Sequence, residues 1–117
     1  SGGFTFFANR VRDRLGIDFT RSNLLDEADG VLTGCVVPQA WGDICDGAEK
    51  RRTLLEVASL LGAVPAQCIA IGDGANDLKM LAEAGISIAY HAKPIVQEQA
   101  TYAINHVGLD GVINLFG

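Results

Sequence analysis

Basic residues and long hydrophobic runs are scarce in this sequence of 117 residues. Nine Lys and Arg stand against 14 Asp and Glu, which gives a formal net charge of −5. A nucleic-acid-binding domain normally shows a clustered basic face, so this charge balance argues against one. No apolar run approaches the ~20 residues that a membrane-spanning helix needs. Neither a nucleic acid nor a membrane is therefore an expected partner.

Cysteine is rare, and its three positions, Cys35, Cys45 and Cys68, are irregularly spaced. An odd number without a C-x-x-C pair indicates neither a disulfide framework nor a zinc site. Free thiols are typical of a reducing compartment, so we expect a cytoplasmic protein.

Hydrophobic residues make up 49% of the chain and charged residues 20%, a composition typical of folded proteins. The length favours a single domain over residues 1–117. Within it, "SNLLDE" and "VLTGCVV" flank an Asp-Gly pair, which predicts a β-hairpin at about 22–37.

Helical and extended patterns alternate along the rest of the chain. Helices are predicted at 5–15, 48–61 and 78–84, from Pro94 onwards and over "LDGVINLF"; strands are predicted at "CIAIG", "ISIAY" and "TYAINH". In the first helix Phe7, Val11 and Leu15 form the apolar line, and Leu54, Val57, Ala58 and Leu61 form that of the second. The wholly apolar "CIAIG" is typical of a strand covered on both faces. This order predicts an α/β fold with a mostly parallel sheet and a ligand site at the carboxyl ends of its strands.

The segment "AIGDGANDLKML" carries the strongest functional signal. Asp73 comes directly after a predicted buried strand, and Asp77 lies four residues later at the start of a helix. With Asn76 they form an oxygen-rich patch suited to a hard cation such as Mg²⁺, and Gly72 and Gly74 allow a tight turn. An ordinary strand-to-helix turn, with Asp77 as the helix cap, explains the same residues.

Two further segments suggest an anion site. Ser1, Gly2 and Gly3 precede a helix, whose N-terminal N–H groups favour negative charge. Taken alone, an ordinary chain terminus or a tag remnant explains the same three residues. Lys50 opens the 48–61 helix, where the helix dipole disfavours a positive charge, so a functional role is one interpretation and an ordinary solvated lysine another.

These segments together, in this order, resemble the phosphoserine phosphatases of the haloacid dehalogenase superfamily. The resemblance covers essentially the whole chain, including "SGGFT", "GDGANDxxML" and "AYHAKP". It implies a partial Rossmann-like fold with helices on both faces of the sheet. It also implies that Asp73 binds Mg²⁺ and that Asp77 orients the site without binding the metal directly. The phosphoryl group would be bound by Ser1, Gly2 and Lys50. Asn76 would lie near a small phosphorylated substrate, O-phospho-L-serine.

The sequence departs from this family in one respect. The family begins with a strand ending in D-x-D-x-T, which supplies the nucleophile and the general acid, and no D-x-D occurs here. The helical cap that selects serine is also missing. The resemblance thus implies the C-terminal half of a phosphatase, incomplete as a domain and inactive alone.

Two alternatives stay open. Cation-transporting P-type ATPases carry a similar "GDGxND" loop in their phosphorylation domain, although "SGGF" argues against them. The missing D-x-D also allows a non-catalytic binding or self-association module.

The resemblance also places the missing strand beside Cys68–Gly72. That segment should then become an apolar edge strand, which favours self-association through it or marginal stability.

Overall fold

The computed structural model describes residues 1–117, which form two compact units, 1–49 and 50–117. The helices are α1 Thr5–Leu15, α2 Gly47–Leu60, α3 Leu78–Glu83 and α4 Pro94–Gln99; the strands are β1 Leu24–Ala28, β2 Val31–Val37, β3 Ile69–Gly72, β4 Ile86–Tyr90 and β5 Tyr102–Ile104. None of these helices has the length and apolar character needed to cross a bilayer. The single domain over 1–117 stays a prediction.

In the first unit, β1 and β2 form the predicted antiparallel hairpin. Ala28 pairs with Val31, so only Asp29 and Gly30 lie in the turn. Their φ values are +53° and +79°. Positive φ at both central residues is the geometry of a type I′ turn, which Asp-Gly favours because glycine adopts it without strain.

Helix α1 has the predicted bounds, but its expected buried face is exposed. Phe7, Val11 and Leu15 are 65%, 50% and 68% exposed, and α1 contains no buried residue. The helix ends at Gly16, whose φ of +69° lets its N–H donate to the carbonyl of Arg12. The periodicity therefore predicted the helix correctly and the burial of its apolar stripe wrongly, because periodicity does not say what covers a stripe.

The second unit contains a parallel sheet in the order β3-β4-β5. Helices α3 and α4 make the two crossovers that parallel strands require. One cluster of the core consists of small and medium-sized apolar side chains packed together: Ala70, Leu81, Ala89 and Val96. The predicted α/β class, with a mostly parallel sheet and a hairpin, is confirmed.

Strand β3 is covered on one face only, so the expectation of two covered faces is wrong. Ala70 and Gly72 are buried, whereas Ile69 and Ile71 are 49% and 39% exposed. The strand lies at the edge of the sheet with β4 as its one neighbour. The apolar segment therefore predicted a strand correctly, but not how many of its faces are covered.

One helix prediction needs correction, and the structure defines the type of another helix. Leu61, expected on the inward face of α2, lies beyond the helix end and is 68% exposed. The predicted closing helix is present as a 3₁₀ helix, Leu109–Leu115. Its seven residues include Gly111, and so short a segment with an internal glycine has little tendency to form an α-helix.

Candidate active site

The loop between β3 and α3 presents polar side chains at the carboxyl end of the sheet. Asp73 directly follows β3, and Ala75–Asp77 form a 3₁₀ turn before α3. The side chains of Asp73 and Asn76 are exposed. Ligands of parallel α/β sheets bind at this end of the strands, so both side chains are accessible where a ligand is expected.

The carboxylate of Asp77 is buried beneath this loop, with 5% of the residue exposed. Its Oδ2 accepts hydrogen bonds from the backbone N–H groups of Asp73, at 3.0 Å, and Gly74, at 3.2 Å. Its Oδ1 accepts a hydrogen bond from Lys50 Nζ at 2.8 Å. One carboxylate thus joins the backbone of the loop to the ammonium group of Lys50.

Gly72 makes this position of Asp77 sterically accessible. A Cβ at residue 72 would lie 2.5 Å from the Cβ of Asp77 and 2.8 Å from its Cγ. Carbon atoms that are not bonded to one another do not approach so closely. Neither Gly72 nor Gly74 has a positive φ. Glycine is therefore needed at 72 for close approach, and the predicted tight turn forms without a positive φ at either glycine.

The interpretation of Asp77 as a helix cap is also corrected. Asp77 immediately precedes α3, but its side chain makes no capping hydrogen bond to that helix. Its oxygens instead accept from Lys50 and from the loop backbone, including the N–H of Gly74, which precedes the 3₁₀ turn.

Several opposing effects act on the pKa of Asp77. Burial raises it, because a desolvated carboxylate is less stable when charged. The hydrogen bond and charge of Lys50 and the N–H groups of Gly74 and Asp73 act in the opposite direction and prevail. The pKa of Asp77 is therefore lowered from its ordinary value of 3.8, and the group remains a carboxylate at neutral pH.

Lys50 lies in the first turn of α2, and its side chain is only 15% exposed. A positive charge there opposes the helix dipole. The ion pair with Asp77 offsets that cost, so Lys50 is not an ordinary solvated lysine. Its role in phosphate binding stays a prediction.

Ser1 and Gly2 belong to the first unit, and both are exposed. The hydroxyl oxygen of Ser1 accepts a hydrogen bond from the N–H of Gly3 at 3.0 Å. The role of Ser1 and Gly2 in binding a phosphoryl group stays a prediction, as do those of Asp73, Asn76 and Asp77.

One buried ion pair in the first unit escaped the sequence analysis. Arg21 Nη1 lies 2.8 Å from Glu49 Oε1, and Glu49 is 3% exposed. The guanidinium carbon also lies 5.3 Å from the centre of the Trp41 ring. The members are 8 to 28 residues apart in sequence, so no local motif could have indicated the cluster.

The loop after β3 offers few donors to a metal ion. No three His, Cys, Asp or Glu side chains converge to hold a metal ion. The exposed carboxylate of Asp73 and the amide of Asn76 are hard oxygen donors, whereas both oxygens of Asp77 are already engaged. Mg²⁺ usually binds one or two carboxylates and keeps several waters, so Asp73 fits as one of its ligands.

Comparison with known proteins identifies the family. The model of haloacid dehalogenase-like hydrolases matches residues 41–116 of this chain. The chain belongs to that family. Phosphatases of the haloacid dehalogenase-like family are generally metal-dependent.

Known relatives resemble this chain over nearly its whole sequence. A phosphoserine phosphatase from Polaromonas sp. is 64% identical over 98% of the chain, and one from Streptomyces coelicolor is 46% identical over 100%. The match covers 49% of the Polaromonas protein and 28% of the Streptomyces protein. The chain therefore spans about half the length of the first relative and less of the second. A structure described as a phospho-aspartyl intermediate analogue of phosphoserine phosphatase superposes with a TM-score of 0.89 at 36% identity, covering 98% of this chain and 53% of its own.

The lowered pKa of Asp77 predicts a pH-dependent contribution to stability. A carboxyl group whose pKa is lower in the folded than in the unfolded state stabilises the fold above its unfolded value, here 3.8, and loses that effect as the pH falls through the folded pKa. In metal-free buffer we expect Asp77→Asn to lower the free energy of unfolding by about 1–3 kcal/mol at pH 7. The difference should shrink below about pH 4, as measured by urea denaturation.

Asp18→Asn is the matched control, because Asp18 is exposed. It should change the free energy of unfolding by less than about 0.5 kcal/mol. A deficit of Asp77→Asn that stays constant from pH 7 to pH 3 would contradict the account.

Proposed function

We propose that the protein is a Mg²⁺-dependent phosphoserine phosphatase, which hydrolyses O-phospho-L-serine to L-serine and inorganic phosphate in serine biosynthesis. The observation that carries this proposal is the 64% identity, over 98% of the chain, to a relative with that name. The three free cysteines support a location in the cytoplasm.

The proposed reaction has two displacements. An aspartate oxygen attacks phosphorus, the bond from phosphorus to the serine oxygen breaks, and that oxygen receives a proton from a general acid. Water then attacks the phosphorus of the aspartyl phosphate and gives a proton to the group that acted as the acid. The bond from phosphorus to the aspartate oxygen breaks, which releases inorganic phosphate and restores the carboxylate. Residues 1–117 contain no D-x-D pair. We therefore propose that the nucleophile and the general acid lie in a segment that corresponds to the part of the relatives outside the match.

Mg²⁺, when bound, would neutralise negative charge on the phosphoryl oxygens. Asp73 would supply one carboxylate ligand, and its backbone is held by Asp77 at 3.0 Å. Asn76, exposed in the same loop, would lie beside the substrate.

Lys50 is the proposed cationic ligand of the phosphoryl group. An ammonium group has three donors, and the hydrogen bond to Asp77 uses one of them. The others can donate to phosphoryl oxygens, whose negative charge is the main target of catalysis in phosphoryl transfer. Ser1 and Gly2 are proposed as further phosphate ligands on the resemblance alone.

Lys50→Ala tests this function in the protein at its full natural length. We expect kcat/KM for O-phospho-L-serine to fall by a factor on the order of 10²–10³, because one electrostatic stabiliser is lost. Asp73→Asn should also abolish most of the Mg²⁺-dependent activity. Phosphate release is measured with Mg²⁺ and with a chelator, against other small phosphomonoesters.

Lys79→Ala is the matched control, since Lys79 is an exposed lysine on α3. It should leave kcat/KM unchanged within about twofold. Residues 1–117 alone should release no phosphate. The proposal would be overturned if the full-length protein did not hydrolyse phosphoserine. It would also be overturned if residues 1–117 alone showed Mg²⁺-dependent hydrolysis that Asp73→Asn abolished.

We also propose that residues 1–117, when isolated, self-associate through the edge of β3. The strand has four apolar residues, no proline and no charge, and β4 pairs with one side of it only. Ile69 and Ile71 are 49% and 39% exposed. Unpaired backbone groups on such an edge pair readily with a strand of another molecule, here a second copy.

Analytical ultracentrifugation of residues 1–117 at ~100 μM tests this association. We expect dimers or larger species, and Ile69→Lys should restore the monomer because a charge on an edge strand opposes pairing. Ile113→Lys is the control, since Ile113 is 72% exposed outside the sheet. A single monomer peak for the unmodified chain, with cooperative unfolding, would contradict the proposal.

A further inference from the structure

Asn23 is a buried polar residue in the first unit, only 5% exposed. It lies immediately before β1 and forms a parallel bridge with Phe4, at the start of α1. Its backbone N–H donates to the carbonyl of Gly3 at 3.0 Å, and its carbonyl accepts from the N–H of Thr5 at 2.9 Å. The backbone of Asn23 therefore fixes the chain that leads from Ser1 into α1.

The side chain of Asn23 makes two more hydrogen bonds. Its Nδ2 donates to the carbonyl of Gly2 at 3.1 Å, and its Oδ1 accepts from the N–H of Cys45 at 2.7 Å. One partner is a carbonyl and the other an N–H group, so the amide has one orientation that satisfies both. Aspartate would turn an acceptor towards the Gly2 carbonyl, and serine is one bond shorter and could not bridge the two partners.

The carbonyl of Gly2 shares a peptide group with the N–H of Gly3, which donates to Ser1 Oγ at 3.0 Å. Asn23 therefore acts on one end of this peptide, and the hydroxyl of Ser1 receives a hydrogen bond from the other. Such linked hydrogen bonds polarise one another. Because Ser1 Oγ accepts from Gly3, its own O–H hydrogen is directed elsewhere and can donate to an oxyanion.

We propose that Asn23 is a positioning residue for phosphate binding, which orients the Gly2–Gly3 peptide and thereby the hydroxyl of Ser1. This inference rests on the proposed phosphatase function. Asn23 itself need not touch the substrate, because it acts through the Gly2 carbonyl. The donor on Nδ2 is the essential group, whereas the acceptor on Oδ1 holds the backbone at Cys45, shortly before α2.

The test compares Asn23→Asp with the unmodified protein at full natural length. This variant keeps the acceptor for Cys45 and loses the donor to Gly2. We expect KM for O-phospho-L-serine and the inhibition constant of inorganic phosphate to rise by a factor on the order of 10, with a smaller change in kcat. A merely structural defect would reduce the folded fraction and so lower the apparent kcat, but it would not change the inhibition constant of the molecules that remain folded.

Two further variants keep the test decisive. Asn9→Asp makes the same substitution at an exposed asparagine of α1 and should leave both constants unchanged. If Asn23→Asp does not fold, Asn23→Ser, which introduces no charge, should raise the phosphate inhibition constant in the same way. Amide hydrogen exchange at Gly3 gives a readout that is independent of activity, and its protection should decrease in either Asn23 variant.

The outcomes separate this inference from the proposed function. If the unmodified protein hydrolyses phosphoserine while both Asn23 variants retain its phosphate inhibition constant, the positioning role is overturned and the phosphatase function stands. If the unmodified protein neither hydrolyses phosphoserine nor binds phosphate, the proposed function fails, and the positioning role for phosphate fails with it.

Discussion

A buried carboxylate stays charged only where several donors replace the water that it has lost, and Asp77 receives three hydrogen bonds from two directions. Two come from the backbone of the loop after β3, and one comes from Lys50 in α2. The same three bonds fix the parts of the site: the loop that carries Asp73 and the ammonium group that is proposed to bind phosphate. Loss of this one carboxylate would release both.

The geometry around Asp77 leaves the exposed groups free for a ligand. Asp77 uses its oxygens inside the protein, while Asp73 and Asn76 present theirs to solvent. Gly72 allows this separation, since any side chain at 72 would displace Asp77. Donors and charges that are fixed before the substrate arrives need little reorganisation during the reaction. Such preorganised positioning and charge stabilisation are the main source of catalysis in phosphoryl transfer. In the first unit, Asn23 holds the Ser1–Gly3 segment by the same principle, with an amide in place of a carboxylate.

The sequence predicted the elements well and their surroundings less well. Periodicity and turn residues indicated α1, the hairpin and the parallel strands, because these depend on local preferences. The exposure of Phe7 and of one face of β3 could not be predicted, since it depends on which other elements lie nearby. The motif after β3 identified Asp73 and Asp77, but not that Asp77 binds Lys50, 27 residues away. Asn23 gave no signal at all, because its partners are 18 to 22 residues distant.

The central claim is that Lys50 and Asp77 act as one unit, and a double-mutant cycle on kcat/KM for O-phospho-L-serine tests it most directly. The cycle compares Lys50→Ala, Asp77→Asn and the double variant in the full-length protein. The account predicts that the double variant is about as impaired as the more impaired single variant, because either substitution already breaks the pair. Losses that multiply, as they do for independent residues, would contradict it.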